Sequence, residues 1–163
     1  MKKILFAASE AVPFMKTGGL ADVTGSLPKY FDKKNYDVRV ILPKYVCMEE
    51  RWKGQLHFLC HFYVNLSWRK QYVGIFETTY DGITYYLVDN EFYFAGNAPY
   101  NNIYEDVEKF AFFSKAVLEA LPYLDFCPDI IHCHDWQTGL LPVFLRTLYG
   151  CLLYTSDAAD DLI

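Results

Sequence analysis

Lys3-Ile4-Leu5-Phe6-Ala7-Ala8 stands near the start of the chain. An unbroken apolar run of this length, bounded by polar residues, suits a strand covered on both faces, as in a parallel sheet. From Ser9 to Gly19 the chain is a polar, glycine-bearing loop. Leu20, Val23, Leu27 and Phe31 then recur at helical spacing, and Asp32-Lys33-Lys34-Asn35 closes the element. Pro28 falls inside that pattern and is expected to kink it. Asp37 to Leu42 supplies a second buried strand, stopped by Pro43. Strand, loop, helix and strand in this order open a doubly wound, Rossmann-like α/β sheet.

Further along, the pattern changes. His57–Trp68, Gln71–Tyr80 and Ile83–Asp89 are rich in Tyr, Phe, Val and Ile and are separated by short turns. Asp81-Gly82 is a strong hairpin signal. These segments are expected to be strands, partly antiparallel, inserted after the second strand of a mostly parallel sheet. Asn90–Tyr104 is a loop carrying Gly96 and Pro99. A helix follows, with Glu105 and Asp106 complementing the dipole of its first turn. Phe110, Phe113, Val117 and Leu121 line one face, and Pro122 ends it. Asp129–His134 is a further buried strand leading into Asp135-Trp136, and a last apolar helix runs to about Tyr149, with Pro142 obscuring its start.

Composition narrows the function classes. Of 163 residues, 53% are hydrophobic and 21% charged, which suits a single globular domain. A net charge of −5 argues against nucleic acid as a partner. The five cysteines form no CxxC pair and are odd in number, as expected of free thiols in a reducing compartment. Ile4–Ala8 is too short for a leader's apolar region, and no run approaches a membrane span. These features point to a soluble, cytoplasmic protein with no membrane partner. Fourteen Tyr and thirteen Phe suggest a thick aromatic core, a carbohydrate-contacting surface, or both.

Two constellations carry chemistry. Lys16-Thr17-Gly18-Gly19-Leu20 sits at a strand-to-helix junction. Its glycines let a ligand approach the backbone, the helix start offers unpaired N–H groups, and Lys16 adds a full charge, which together suit a phosphate or another anion. The alternative is a glycine-rich turn with a solvated lysine. His132-Cys133-His134-Asp135-Trp136 ends a strand, where open α/β sheets bind ligands. His132 and His134 share a face, so a metal site with Asp135 is one alternative, and buried histidines satisfied by backbone are another. The only other histidines, His57 and His61, give that metal site no obvious further ligand. Glu10 either faces the same crevice or is an exposed loop carboxylate. Tyr100 either packs over a sugar or anchors its loop, and Trp136 is expected in the core.

Four stretches together resemble the bacterial glycogen synthases and plant starch synthases. They are Ile4-Leu5-Phe6-Ala7-Ala8-Ser9-Glu10-Ala11-Val12-Pro13-Phe14, Lys16-Thr17-Gly18-Gly19-Leu20-Ala21-Asp22-Val23, Asp37-Val38-Arg39-Val40-Ile41-Leu42-Pro43-Lys44-Tyr45, and Pro128 to Leu140 with its His134-Asp135-Trp136. The resemblance covers roughly residues 1–149. It implies a two-domain glycosyltransferase of the GT-B type, of which this chain supplies the N-terminal Rossmann-like domain. The implied reaction moves glucose from ADP-glucose to the non-reducing 4-hydroxyl of an α-1,4-glucan, with retention and without a metal or other cofactor. Carried over by motif, Lys16 contacts the donor phosphates, Gly18 and Gly19 approach the donor, and Asp135 sits near the transferring glucose. Tyr100 and His134 complete the substrate-binding set. The alternatives are a non-catalytic sugar-nucleotide or glucan-binding module and, further off, a metal-dependent hydrolase.

From Gly150 to Ile163 the chain departs from the family pattern, which continues into another buried strand. This acidic stretch is expected to be non-native or truncated sequence, and the isolated polypeptide is expected to be inactive.

Overall fold

A computed structural model describes residues 1–150. The expected tail segment lies outside the described residues from Cys151 onward. Four strands run parallel side by side: β1 (Lys2–Ala7), β2 (Tyr36–Pro43), β5 (Ile83–Asp89) and β6 (Ile130–Cys133). An antiparallel hairpin of β3 (His57–Leu66) and β4 (Arg69–Tyr80) extends the sheet beyond β5. The six strands lie in the order β3-β4-β5-β2-β1-β6. A mostly parallel α/β sheet with an inserted antiparallel segment is therefore what the chain forms. Asp81 and Gly82, with φ of 51° and 74°, make the β4–β5 turn, the double positive-φ geometry that a tight hairpin of this hand requires.

Alternation along the central strands divides the core in two. Leu5, Ala7, Ile41, Tyr86 and Val88 face α3 (Ile103–Ala120), meeting Phe110, Phe113 and Val117. Ile4, Phe6, Val38, Val40, Leu42 and Leu87 face the other way, against Ala11, Phe14 and Met48. Sequence predicts α3 well because its apolar face is long. Asn102 caps it, its side-chain oxygen accepting from the amides of Tyr104 and Glu105. Glu105 and Asp106 lie in the first turn of α3 as expected, and Asp106 is in addition 5% exposed and paired with Lys109.

Three further expectations are corrected. The helix α1 (Gly19–Ser26) is followed by a 3-10 turn over Leu27–Tyr30, and Phe31 is already extended. Its buried face is Ala21, Thr24 and Gly25, while Val23 and Leu27 are exposed. The seat of α1 is so close to the loop beneath it that small residues go inward and the larger apolar ones outward. β6 borders the sheet among the described residues, so Ile130 is exposed where a buried strand was expected. Trp136 is half exposed, resting edge-on against Phe110 at 5.5 Å, and is not a core residue. Pro142 lies in the first turn of α4 (Leu140–Leu148), where a missing N–H costs nothing. Three short elements, α2 (Glu50–Lys53) and the 3-10 turns Leu121–Tyr123 and Trp136–Thr138, complete the order. Among the described residues no helix is long and apolar enough to cross a membrane.

Candidate functional site

β1 leads to β2 on one side, whereas β5 leads through α3 to β6 on the other. The two connections diverge between β1 and β6, so the carboxyl ends of these strands flank a topological switch point, where open α/β sheets bind ligands. Ala7 pairs with Cys133 at the ends of the two strands. Ser9 and Glu10 therefore leave the sheet beside His134 and Asp135, and both sequence constellations belong to one end of the sheet.

Glu10 is 2% exposed and is not the exposed loop carboxylate that was one of its two expectations. Its Oε2 accepts from both the amide and the hydroxyl of Thr17 at 2.7 Å. The Thr24 hydroxyl donates to the Glu10 carbonyl at 2.6 Å. One residue thus ties the end of β1 to both the glycine turn and α1. Gly18, in extended backbone, precedes α1 as its N-cap, and among the described residues no side chain caps the helix start. A Cβ on Gly19 would meet nothing within 4 Å, and one on Gly18 would meet only Glu10 Oε1 at 3.9 Å. Neither glycine is demanded by neighbours among the described residues, which leave the turn open above its first amides. Lys16 pairs with Asp22 at 2.7 and 2.8 Å, both side chains about half exposed. Such an exposed pair is worth at most ~1 kcal/mol, so the ammonium is available to a stronger anion.

On the other strand, Asp135 has φ 65° and ψ −179°, a region nearly confined to glycine, and its carboxylate accepts from the Trp136 amide at 3.0 Å. Strain of this kind gathers at functional sites. His134 is buried beside Phe6 and His132, with ring centroids 4.8 and 4.3 Å away. Burial lowers its pKa to about 4, helped by His132 and opposed by Asp135, so it is neutral near pH 7. Its Nε2 is buried without a hydrogen-bond partner among the described residues, which departs from histidines satisfied by backbone. Among those residues no three His, Cys, Asp or Glu side chains converge as a metal-ligand set.

Tyr100 reaches the site from the loop before α3. Its hydroxyl shares a 2.7 Å hydrogen bond with Ser9 Oγ, and its ring packs on Phe110. Burial pushes the phenol pKa up, the hydrogen bond with Ser9 opposes this, and the charges of Glu10 and Asp135 add to it. The Tyr45 hydroxyl donates to the Ser9 carbonyl at 2.8 Å, fixing the same turn from below. Sequence reasoning passed over Ser9, Tyr45 and Lys109. Only Lys109 left a signal: a lysine next to Phe110 on the core face, three residues after Asp106. A cleft of about 260 Å³, lined by Arg69, Phe92, Tyr93, Asn101, Glu108 and Lys109 among others, opens on the α3 side of this loop.

A mostly parallel α/β sheet whose switch point gathers a glycine-opened helix start and a strained carboxylate defines a Rossmann-like domain. A family model described as "Starch synthase catalytic domain" matches residues 3–156, and the chain belongs to that glycosyltransferase family. The glycogen synthase of Lachnoclostridium phytofermentans is 70% identical over 146 residues, which are 90% of this chain and 30% of that protein. The glycogen synthase of Lachnospira eligens is 64% identical over 92% of this chain and 31% of its own length. The catalytic domain of starch synthase IV from Arabidopsis thaliana, bound to ADP and acarbose, superposes with a TM-score of 0.79 at 30% identity. That match covers 91% of this chain and 31% of the Arabidopsis one, and it places the fold in the GT-B class. The chain thus spans about a third of the length of the relatives it matches.

Proposed function

We propose that this chain is the N-terminal part of a cytoplasmic synthase that transfers glucose from ADP-glucose to the non-reducing 4-hydroxyl of an α-1,4-glucan, with retention. One observation carries the proposal: a cation beside an uncapped, glycine-opened helix start shares a sheet end with Asp135 in its strained backbone. The ADP found with the Arabidopsis starch synthase IV domain supports a nucleotide donor.

Breaking the anomeric bond of a nucleotide sugar leaves negative charge on the diphosphate and positive character on the glucose. Preorganised charge and dipoles aimed at those two places lower the barrier. Lys16, released from Asp22, and the first amides of α1 stand for the diphosphate end. Asp135 stands for the glucose end, accepting from sugar hydroxyls and opposing the positive character. Tyr100 closes the sugar side from its loop. His134, neutral near pH 7, adds no competing charge beside Asp135. No cofactor beyond the donor substrate enters this chemistry.

In the same proposal the 163-residue chain has no synthase activity alone and binds ADP-glucose weakly. Calorimetry with ADP-glucose tests the donor site, with Lys16→Ala as control. A weak saturable heat that the variant loses is expected, and equal heats for the two proteins sink the assignment. Glucan elongation by the purified chain would overturn the statement about its inactivity.

A further inference from the structure

Tyr100 is held from both sides by one buried ion pair. Asp106 and Lys109, on the first turns of α3, are 5% and 3% exposed, and Lys109 Nζ lies 2.8 Å from Asp106 Oδ1. The same ammonium donates to the Pro99 carbonyl at 2.8 Å. The same carboxylate accepts from the Asn101 amide, with both oxygens at 3.1 Å. Residues 99 and 101 are thus fixed to α3 by two charge-assisted bonds, and the residue between them extends its hydroxyl to Ser9.

A buried ion pair is a poor way to make stability. Desolvating two charges costs several kcal/mol, and an apolar pair of similar volume commonly does as well or better. What a charged pair supplies is direction: each group bonds a specific backbone atom, which an apolar pair cannot do. We propose that Asp106 and Lys109 form a positioning clamp that presents Tyr100 to the site. Its bearing on catalysis rests on the assignment of the switch-point crevice to ADP-glucose. Neither side chain touches substrate in this arrangement; both act through Tyr100.

The test separates position from stability. The 163-residue chain is labelled with 3-fluorotyrosine, and the Tyr100 ¹⁹F line is assigned by its loss in Tyr100→Phe. The variants are Lys109→Met and the apolar pair Asp106→Leu/Lys109→Met. Lys109→Met leaves a buried carboxylate uncompensated and is expected to lower the melting temperature. The apolar pair is expected to melt above Lys109→Met, because it leaves no buried charge unpaired. Despite that, its Tyr100 line should move or split, because Pro99 and Asn101 are released. A Tyr100 line identical in the wild type and the apolar pair overturns the clamp, as does a line that changes only in step with melting temperature. A second titration, with ADP-glucose, follows the same line. The wild-type line should shift, and the apolar pair should need about tenfold more ligand, the loss expected when one binding element is no longer preorganised. A line that differs between the proteins but ignores ADP-glucose in the wild type supports the clamp and overturns the donor assignment beneath it.

Discussion

A Cβ on Gly25 would lie 2.3 Å from Val12 Cγ2 and 2.5 Å from the Val12 carbonyl oxygen. α1 therefore rests its backbone directly on the loop that leaves β1, an approach only glycine permits. The contact is reinforced by the Val12 amide, which donates to the Ala21 carbonyl at 3.0 Å. Because one of the obstructing atoms is backbone, a side chain cannot simply rotate away. Gly25→Ala is expected to destabilise the chain by about 1–3 kcal/mol, the usual range for overpacking. Urea unfolding reads this directly, and an unchanged midpoint means that α1 is not seated in this way.

Gly18 and Gly19 should behave in the opposite manner. The space above them is open, with nothing within 4 Å of a Gly19 Cβ. Gly19→Ala, at the start of a helix, is expected to leave the urea midpoint unchanged or to raise it slightly. If the turn receives the donor's diphosphate, the added methyl group obstructs the approach, and ADP-glucose affinity falls about tenfold or more without loss of fold. Calorimetry and unfolding on the same preparation decide it. Unaltered affinity removes the functional reason for the glycine.

The contrast between these glycines shows what was legible in the sequence. Gly18 and Gly19 stood out because they adjoin Lys16 at a strand-to-helix junction, a pattern with a chemical reason. Gly25 gave no warning, since its partner Val12 lies thirteen residues away and only folding brings them together. The same limit governs α1: spacing placed Leu20, Val23 and Leu27 inward, but the close seat admits only small residues. The central strands were legible because burial on both faces leaves a continuous apolar run. The clamp was not, because the groups that Asp106 and Lys109 hold are backbone atoms of Pro99 and Asn101, which no side-chain pattern reveals. Asp135 was placed at the site by motif, but its backbone strain has no sequence signature.

That strain makes a test at Asp135 itself. With φ 65° and ψ −179°, the residue occupies a region that costs a non-glycine residue about 1–3 kcal/mol. Asp135→Ala and Asp135→Gly both remove the carboxylate that accepts from the Trp136 amide. Only the glycine variant also relieves the backbone. Asp135→Gly is therefore expected to be more stable than Asp135→Ala by about 1 kcal/mol, the reverse of the usual order. Guanidinium unfolding of the pair measures the difference. Alanine proving the more stable would show that the backbone here is not strained.

His134 makes acid stability a property of the site. Its pKa in the folded chain is about 4, against an ordinary 6.5, because burial beside Phe6 and His132 disfavours the cation. Between these two values the unfolded chain takes up a proton that the folded chain refuses. Stability from this residue is therefore fully present above pH 6.5 and is lost as pH falls toward 4, with a slope approaching about 1.4 kcal/mol per pH unit. His134→Phe removes the titrating group while keeping an aromatic ring among its neighbours. The variant should gain on the wild type as pH drops from 6.5 to 4 and hold a constant difference above that range. Parallel stability–pH curves for the two proteins would mean that His134 takes up its proton in the fold as readily as in the unfolded chain. A charged imidazolium beside Asp135 would then pair with that carboxylate, leaving it less free to accept from a sugar hydroxyl. Histidine signals followed by NMR over the same range distinguish the two cases, since a buried neutral His134 should titrate only near the acid limit.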